Sequence, residues 1–277
     1  MAEQQQRRRR IRRRPRYHGP SFNRIIPNLL TMTGLCFGLT AIRYAIEGHF
    51  ARAAVAIVIA GVIDGLDGRI ARLLNAVTRF GAEFDSLADF CCFGIAPGLI
   101  LYLWSLHEAG RFGYIPCLTF AVCMALRLAR FNSALESAPR PAYAQSFFTG
   151  VPAPAGAALA LFPLFLWLEA TDLGWARLAN FAHHAALVGG VLLVGSALSV
   201  STLPVWSFKN FKVPTANVAP LLLGCLMAIA LLLAEPWLAL ALVGLGYAAM
   251  LPFSLRSFHR LRADAEEEAR QPGTEEA

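Results

Sequence analysis

The stretch DGLDGRIARLLNAVTRFGAEFDSLAD (residues 64–89) carries four aspartates, Asp64, Asp67, Asp85 and Asp89, between segments that are otherwise apolar. The flanking runs are about 20 residues long, the length an α-helix needs to cross the hydrocarbon core of a bilayer. An ionised side chain at that depth costs roughly 2.5–3.5 kcal/mol on insertion scales. Four acids so close together need a compensating partner, and a divalent cation is the obvious one.

The rest of the chain fits that membrane setting. Of its 277 residues, 56% are hydrophobic and 16% charged, with a mean hydropathy of +0.50, which excludes an ordinary soluble domain. The expected fold is all-α and polytopic, with about eight transmembrane helices. They fall near 25–46, 51–66, 81–104, 114–131, 151–168, 184–200, 218–233 and 236–253, with Pro27 suited to the first turn of the first helix. The expected organisation is a basic tail (1–24), a core of six spans (25–204), a loop with the last two spans (205–254) and a charged tail (255–277).

Charge orients this arrangement. Nine of the 25 basic residues lie in the first 24 positions, including the run RRRRIRRRPR (7–16). In a soluble protein such a run would suggest nucleic acid. Ahead of an apolar segment it marks a cytoplasmic tail near anionic lipid, and no nucleic-acid partner is expected. With eight spans, 21 basic residues fall on one side, and only Arg43, Arg52, Arg111 and Arg177 on the other. By the positive-inside rule both termini and the aspartate stretch face the cytoplasm. The first apolar stretch lacks a small-residue cleavage pattern and reads as a retained span. The six cysteines show no zinc-type CxxC spacing and mostly sit in apolar runs, so they read as small buried hydrophobes.

Within the aspartate stretch, Asp64, Asp67, Gly68, Ala71 and Arg72 share one helix face, and Gly81, Asp85 and Asp89 share another. Two carboxylates thus face two more across a short turn, with small residues leaving room for a backbone or a ligand. Oxygen-only ligands suit Mg2+ or Mn2+, and four carboxylates suit two such ions. The same acids also fit the proton relay or ion pathway of a transporter, or pairing with Arg72 and Arg79.

Position for position, the array resembles the signature of the CDP-alcohol phosphotransferase family, DxxDGxxAR followed after eight residues by GxxxDxxxD. The resemblance implies a membrane enzyme in which an alcohol displaces CMP from a CDP-linked donor. It implies Asp64, Asp67 and Asp85 as metal ligands and Asp89 as shared between a second metal and the role of catalytic base. Asp67, Gly68, Ala71, Arg72 and Gly81 would border the CDP donor. Asn28 and Thr31, in a PN-x-x-T pattern, would add nucleotide or headgroup contacts.

The flanks resemble those of the family's serine-accepting members, in IPNLLTMTGLCFG (26–38), ALRLARFN (125–132), FFTGVPAPA (147–155) and SFKNF (207–211). This implies CDP-diacylglycerol and L-serine as substrates, a homodimer, and a bacterial inner membrane with the site facing the cytoplasm. One departure is Cys91-Cys92, where such proteins often carry serine before the Phe-Gly. Serine's carboxylate calls for a guanidinium, and Arg127 and Arg130, followed by Asn132, are the candidates. Inositol phosphate, choline and glycerol phosphate remain alternative acceptors. Lys209 and Lys212 are candidate phosphate or headgroup contacts, while His183 and His184 fall at the far end of a span, away from the acids.

Overall fold

The computed structural model describes residues 22–135, 147–206 and 218–270. The arginine run, the Pro-rich segment before residue 147, Lys209 and Lys212 lie outside the described residues. Helix α1 (Phe22–Ile46) and helix α2 (Phe50–Leu73) form an antiparallel hairpin joined by a turn at Gly48. Their seam is made of small residues, among them Ala41, Ala45, Ala53, Ala56 and Ala60, all buried. Without a hydrophobic force between helices in lipid, small side chains allow the close approach on which packing depends.

Helix α3 (Arg79–Asp89) runs through a π-helical segment (Phe90–Ile95) into α4 (Ala96–Trp104), and α5 (Tyr114–Leu135) follows. A two-stranded antiparallel pair, β1 (Phe147–Thr149) with β2 (Pro204–Trp206), brackets α6 (Ala153–Asp172), α7 (Ala176–His183) and α8 (Ala185–Val200). Helices α9 (Val218–Ala234) and α10 (Pro236–Arg270) complete the order.

The fold is that of an all-α polytopic membrane protein, with the β pair as its one departure among the described residues. Each expected apolar segment is helical. Five helices are long and apolar enough to cross a membrane, and the bent pair α7–α8 raises this to six. α2 falls short because its C-terminal third carries Asp64, Asp67, Arg69 and Arg72, and α9 because it has 17 residues. The eight-span count thus goes beyond what length and hydropathy establish.

Three local details differ from the sequence expectation. Pro27 lies inside α1, which begins at Phe22; the bond that proline removes is to a carbonyl of the first turn, close to the helix end, where it is easily satisfied. The segment at 147–149, which falls between the expected fourth and fifth spans, pairs with 204–206. Helix α10 continues to Arg270, past the end of the expected span.

Two polar devices lock the far end of the bundle. The buried Glu169 of α6 accepts a hydrogen bond from the Leu238 N–H (3.1 Å), placing a carboxylate at the N-terminus of α10. His183 contacts the Trp104 carbonyl (3.0 Å) and packs against Trp104 and Trp167, while His184 accepts from the Ala186 N–H at the start of α8. Both histidines are absorbed by packing and capping, away from the acids.

Candidate active site

The turn between α2 and α3 sets the site. Asn75 adopts φ +50, the left-handed region that asparagine tolerates better than most residues. The Asn75 and Ala76 N–H groups return to the carbonyls of Arg72 and Ala71, which closes α2 in a Schellman arrangement. Thr78 then caps α3, its hydroxyl accepting from the Gly81 N–H at 3.0 Å. A Cβ on Gly81 would stand 2.8 Å from the Asn28 side-chain oxygen and 3.0 Å from the Thr78 hydroxyl. Glycine at 81 therefore lets α3 approach α1 with Asn28 lying over it.

This fold-back brings the acids together. One carboxylate oxygen from each of Asp64, Asp67 and Asp85 lies within 4.8 Å of the others. Asp67 is buried (4% exposed), and Asp64 and Asp85 are half-buried. Three convergent carboxylates present the all-oxygen donor set of a hard divalent cation, so the group is fit to bind a metal. Asp89 lies one helical turn on from Asp85, against Asp64. The π segment begins directly after it, as such segments often do beside functional residues.

Thr31, expected among donor contacts, donates its hydroxyl proton to Asp67 Oδ2 at 2.7 Å. It is a buried support for a candidate ligand. Gly68 has open space around the position a Cβ would take, and the exposed Arg72 side chain returns its Nε to the Gly68 carbonyl (3.0 Å). The Gly68 side of the array is thus accessible, whereas the α1 side is filled by Thr31 and Cys92. The Cys92 thiol reaches the Gly34 carbonyl at 3.6 Å, so its polar atom faces α1 backbone. Larger grooves lie elsewhere on apolar faces, such as one of about 450 Å³ between α6, α8 and α10.

The three residues expected at the acceptor end separate. Arg127 lies within electrostatic range of Asp89 and Asp64, and its Nε and Nη1 are buried without a hydrogen-bond partner among the described residues. Arg130 donates through Nη1 and Nη2 to the carbonyls of Val200 (2.6 Å) and Ser201 (2.9 Å), closing the end of α8. Asn132 donates to the Ser86 hydroxyl at 3.0 Å and so ties the end of α5 to α3. Gly150, at φ +78, completes this corner: its N–H donates to Leu203, and a Cβ there would stand 2.8 Å from the Ser201 carbonyl. The glycine of the FTG element thus serves the chain path that Arg130 braces.

A family model described as CDP-alcohol phosphatidyltransferase matches residues 24–194, and a second, CDP-alcohol phosphatidyltransferase 2, matches residues 217–252. This chain belongs to the CDP-alcohol phosphatidyltransferase family. Among curated relatives it is similar to a CDP-diacylglycerol–serine O-phosphatidyltransferase of Mycobacterium tuberculosis strain H37Rv, with 38% identity over 84% of this chain and 79% of that protein. A protein of the same name from Mycobacterium leprae is 37% identical over 91% of this chain and 82% of its own length. One from Helicobacter pylori strain J99 is 36% identical over 68% and 74%. All eight residues of the phosphatidyltransferase signature therefore stand within the matched region, on α2 and α3.

Sequence reasoning missed Ser86 and Tyr247. Ser86 lies inside the signature spacing but at a position the signature leaves unspecified, and its pairing with Asn132 spans 46 residues. Tyr247, on α10, lies within electrostatic range of Arg127 although it is 120 residues on; a lone tyrosine in an apolar run carries no local signal.

Proposed function

We propose that this chain transfers the phosphatidyl group of CDP-diacylglycerol to the hydroxyl of L-serine, giving phosphatidylserine and CMP. The observation that carries the reading is the convergence of Asp64, Asp67 and Asp85, with Asp89 paired to Asp64 and Arg127 within electrostatic range of both. The charge asymmetry of the sequence favours a site at the cytoplasmic face of a bacterial plasma membrane, and the family likeness favours a homodimer.

Asp64, Asp67 and Asp85 would hold Mg2+ or Mn2+, with Asp89 shared with a second ion. Such ions supply neutralisation of charge on the diphosphate oxygens. The chain's own groups supply the rest. The open surface at Gly68 and Ala71 borders the donor's diphosphate, with Arg72 and Asn28 at its edges, and the acyl chains stay in the bilayer. Arg127 receives the serine carboxylate, and Asn132 and Arg130 hold the helix ends around it. The Asp89 carboxylate takes the proton from the serine hydroxyl, which is a poor nucleophile until that proton leaves. The new bond joins serine oxygen to phosphorus as the bond to the CMP oxygen breaks in line, inverting the configuration at phosphorus.

Purified protein supplied with Mn2+ or Mg2+ is expected to release CMP from CDP-diacylglycerol only when serine is added. Release with glycerol 3-phosphate, inositol phosphate or choline but not with serine would refute the acceptor assignment. Serine-dependent retention of configuration would refute direct attack.

A further inference from the structure

Among the described residues, four buried side-chain nitrogen or oxygen atoms lack a hydrogen-bond partner, and three of them occupy one corner: Arg127 Nε, Arg127 Nη1 and the Tyr247 hydroxyl. Buried polar groups are normally satisfied, so three orphans on two electrostatically interacting residues mark a place built for a polar guest. The two residues come from α5 and α10, and Tyr247 sits close enough to Arg127 to interact with it electrostatically. Tyr247, with Ala155 and Leu198, packs against an apolar cluster of Val151, Val205 and Leu251. Arg127 in turn faces Asp89 and Asp64. The corner therefore holds a cation and a hydroxyl within electrostatic range of each other, with the cation also in range of the candidate base and apolar side chains packed against the tyrosine. The Coulomb field of Arg127 selects an anionic group, and the phenol adds a neutral donor that makes no demand for a second charge.

We propose that Tyr247 is a specificity-determining residue whose hydroxyl, together with Arg127, takes up the carboxylate of the acceptor. This rests on the serine-acceptor reading above. It assigns α10, outside the signature-bearing helices, a direct part in choosing the alcohol. The acceptor's hydroxyl then lies toward Asp89 and its carboxylate toward Arg127 and Tyr247, so that a substrate lacking the carboxylate forfeits the contacts to those two residues and keeps the one to Asp89.

The test is Tyr247→Phe, which removes one oxygen and keeps the ring in its apolar cluster. The expected result is a rise of about tenfold in KM for serine, the size of one hydrogen bond to a charged group. The KM for CDP-diacylglycerol and the melting temperature in detergent stay at wild-type values. The preference in kcat/KM for serine over L-serine amide, whose carboxylate is replaced by an uncharged group, falls by the same factor. A serine KM unchanged in the variant, or an equal loss with the amide, would overturn the inference while leaving the acceptor reading intact. A wild-type chain that releases no CMP with serine would overturn the acceptor reading and this inference with it.

Discussion

Thr31→Val separates two roles that the PN-x-x-T pattern leaves indistinguishable. The Thr31 hydroxyl donates to Asp67 Oδ2 at 2.7 Å, and the two residues are 7% and 4% exposed. The Pro27 carbonyl lies farther from the same hydroxyl, at 3.1 Å, so the single proton belongs to the carboxylate. A buried hydrogen bond to a charged group is worth about 1.5–3 kcal/mol, or about 10- to 150-fold in an equilibrium constant. Valine keeps the branched shape and removes the donor, leaving Asp67 free to turn away from Asp64 and Asp85. Loss of a supporting partner of a metal ligand commonly costs about 10- to 100-fold in metal affinity. The expected outcome is that the Mn2+ or Mg2+ concentration for half-maximal CMP release rises about 10- to 100-fold, that turnover recovers at saturating metal, and that Thr31→Ser behaves as wild type. The assay is CMP release titrated with metal at fixed, saturating CDP-diacylglycerol and serine. A metal curve superimposable on that of the wild type, with a raised KM for the donor, would refute the reasoning and return Thr31 to the nucleotide.

Asp89→Asn is expected to keep CMP binding, measured by calorimetry, and to lose about 10²- to 10⁴-fold in turnover, the usual worth of a positioned base; retained turnover would remove Asp89 from that role. Gly81→Ala adds up to about 1 kcal/mol of helix propensity, yet its Cβ would press on the Asn28 and Thr78 oxygens. Its melting temperature should stay near that of the wild type while the donor KM rises, and an unchanged donor KM would count against Asn28 as a donor contact. Arg130→Ala loses two hydrogen bonds to the carbonyls that end α8, each worth about 1.5–3 kcal/mol, and should show as a lowered melting temperature in detergent. A fully stable variant with a raised serine KM would place Arg130 in the acceptor site instead.

Much of the site was legible because its parts are local. Asp64 and Asp67 lie within one turn of α2, and Gly81, Asp85 and Asp89 within two turns of α3, so the helical period alone puts each set on one face. The apolar run lengths placed the helices, and the α2–α3 turn is too short for the two acid faces to be far apart. The π segment after Asp89 was not legible, since FCCFGI reads as ordinary apolar helix.

What the sequence by itself determined is the all-α membrane-spanning character, the register of the acids and the family, since each depends on spacing along the chain. What only the tertiary structure decided is which polar atom meets which. Thr31 finds Asp67 36 residues on, Arg130 finds the end of α8 70 residues on, and Tyr247 of α10 comes within electrostatic range of Arg127. Arg127 and Arg130 look alike in RLARFN, three residues apart on one helix. Packing gives one a carbonyl pair to close and leaves the other beside the acids. The partner of a buried donor is fixed by how helices distant in sequence come to lie together, and no periodicity along one helix encodes it.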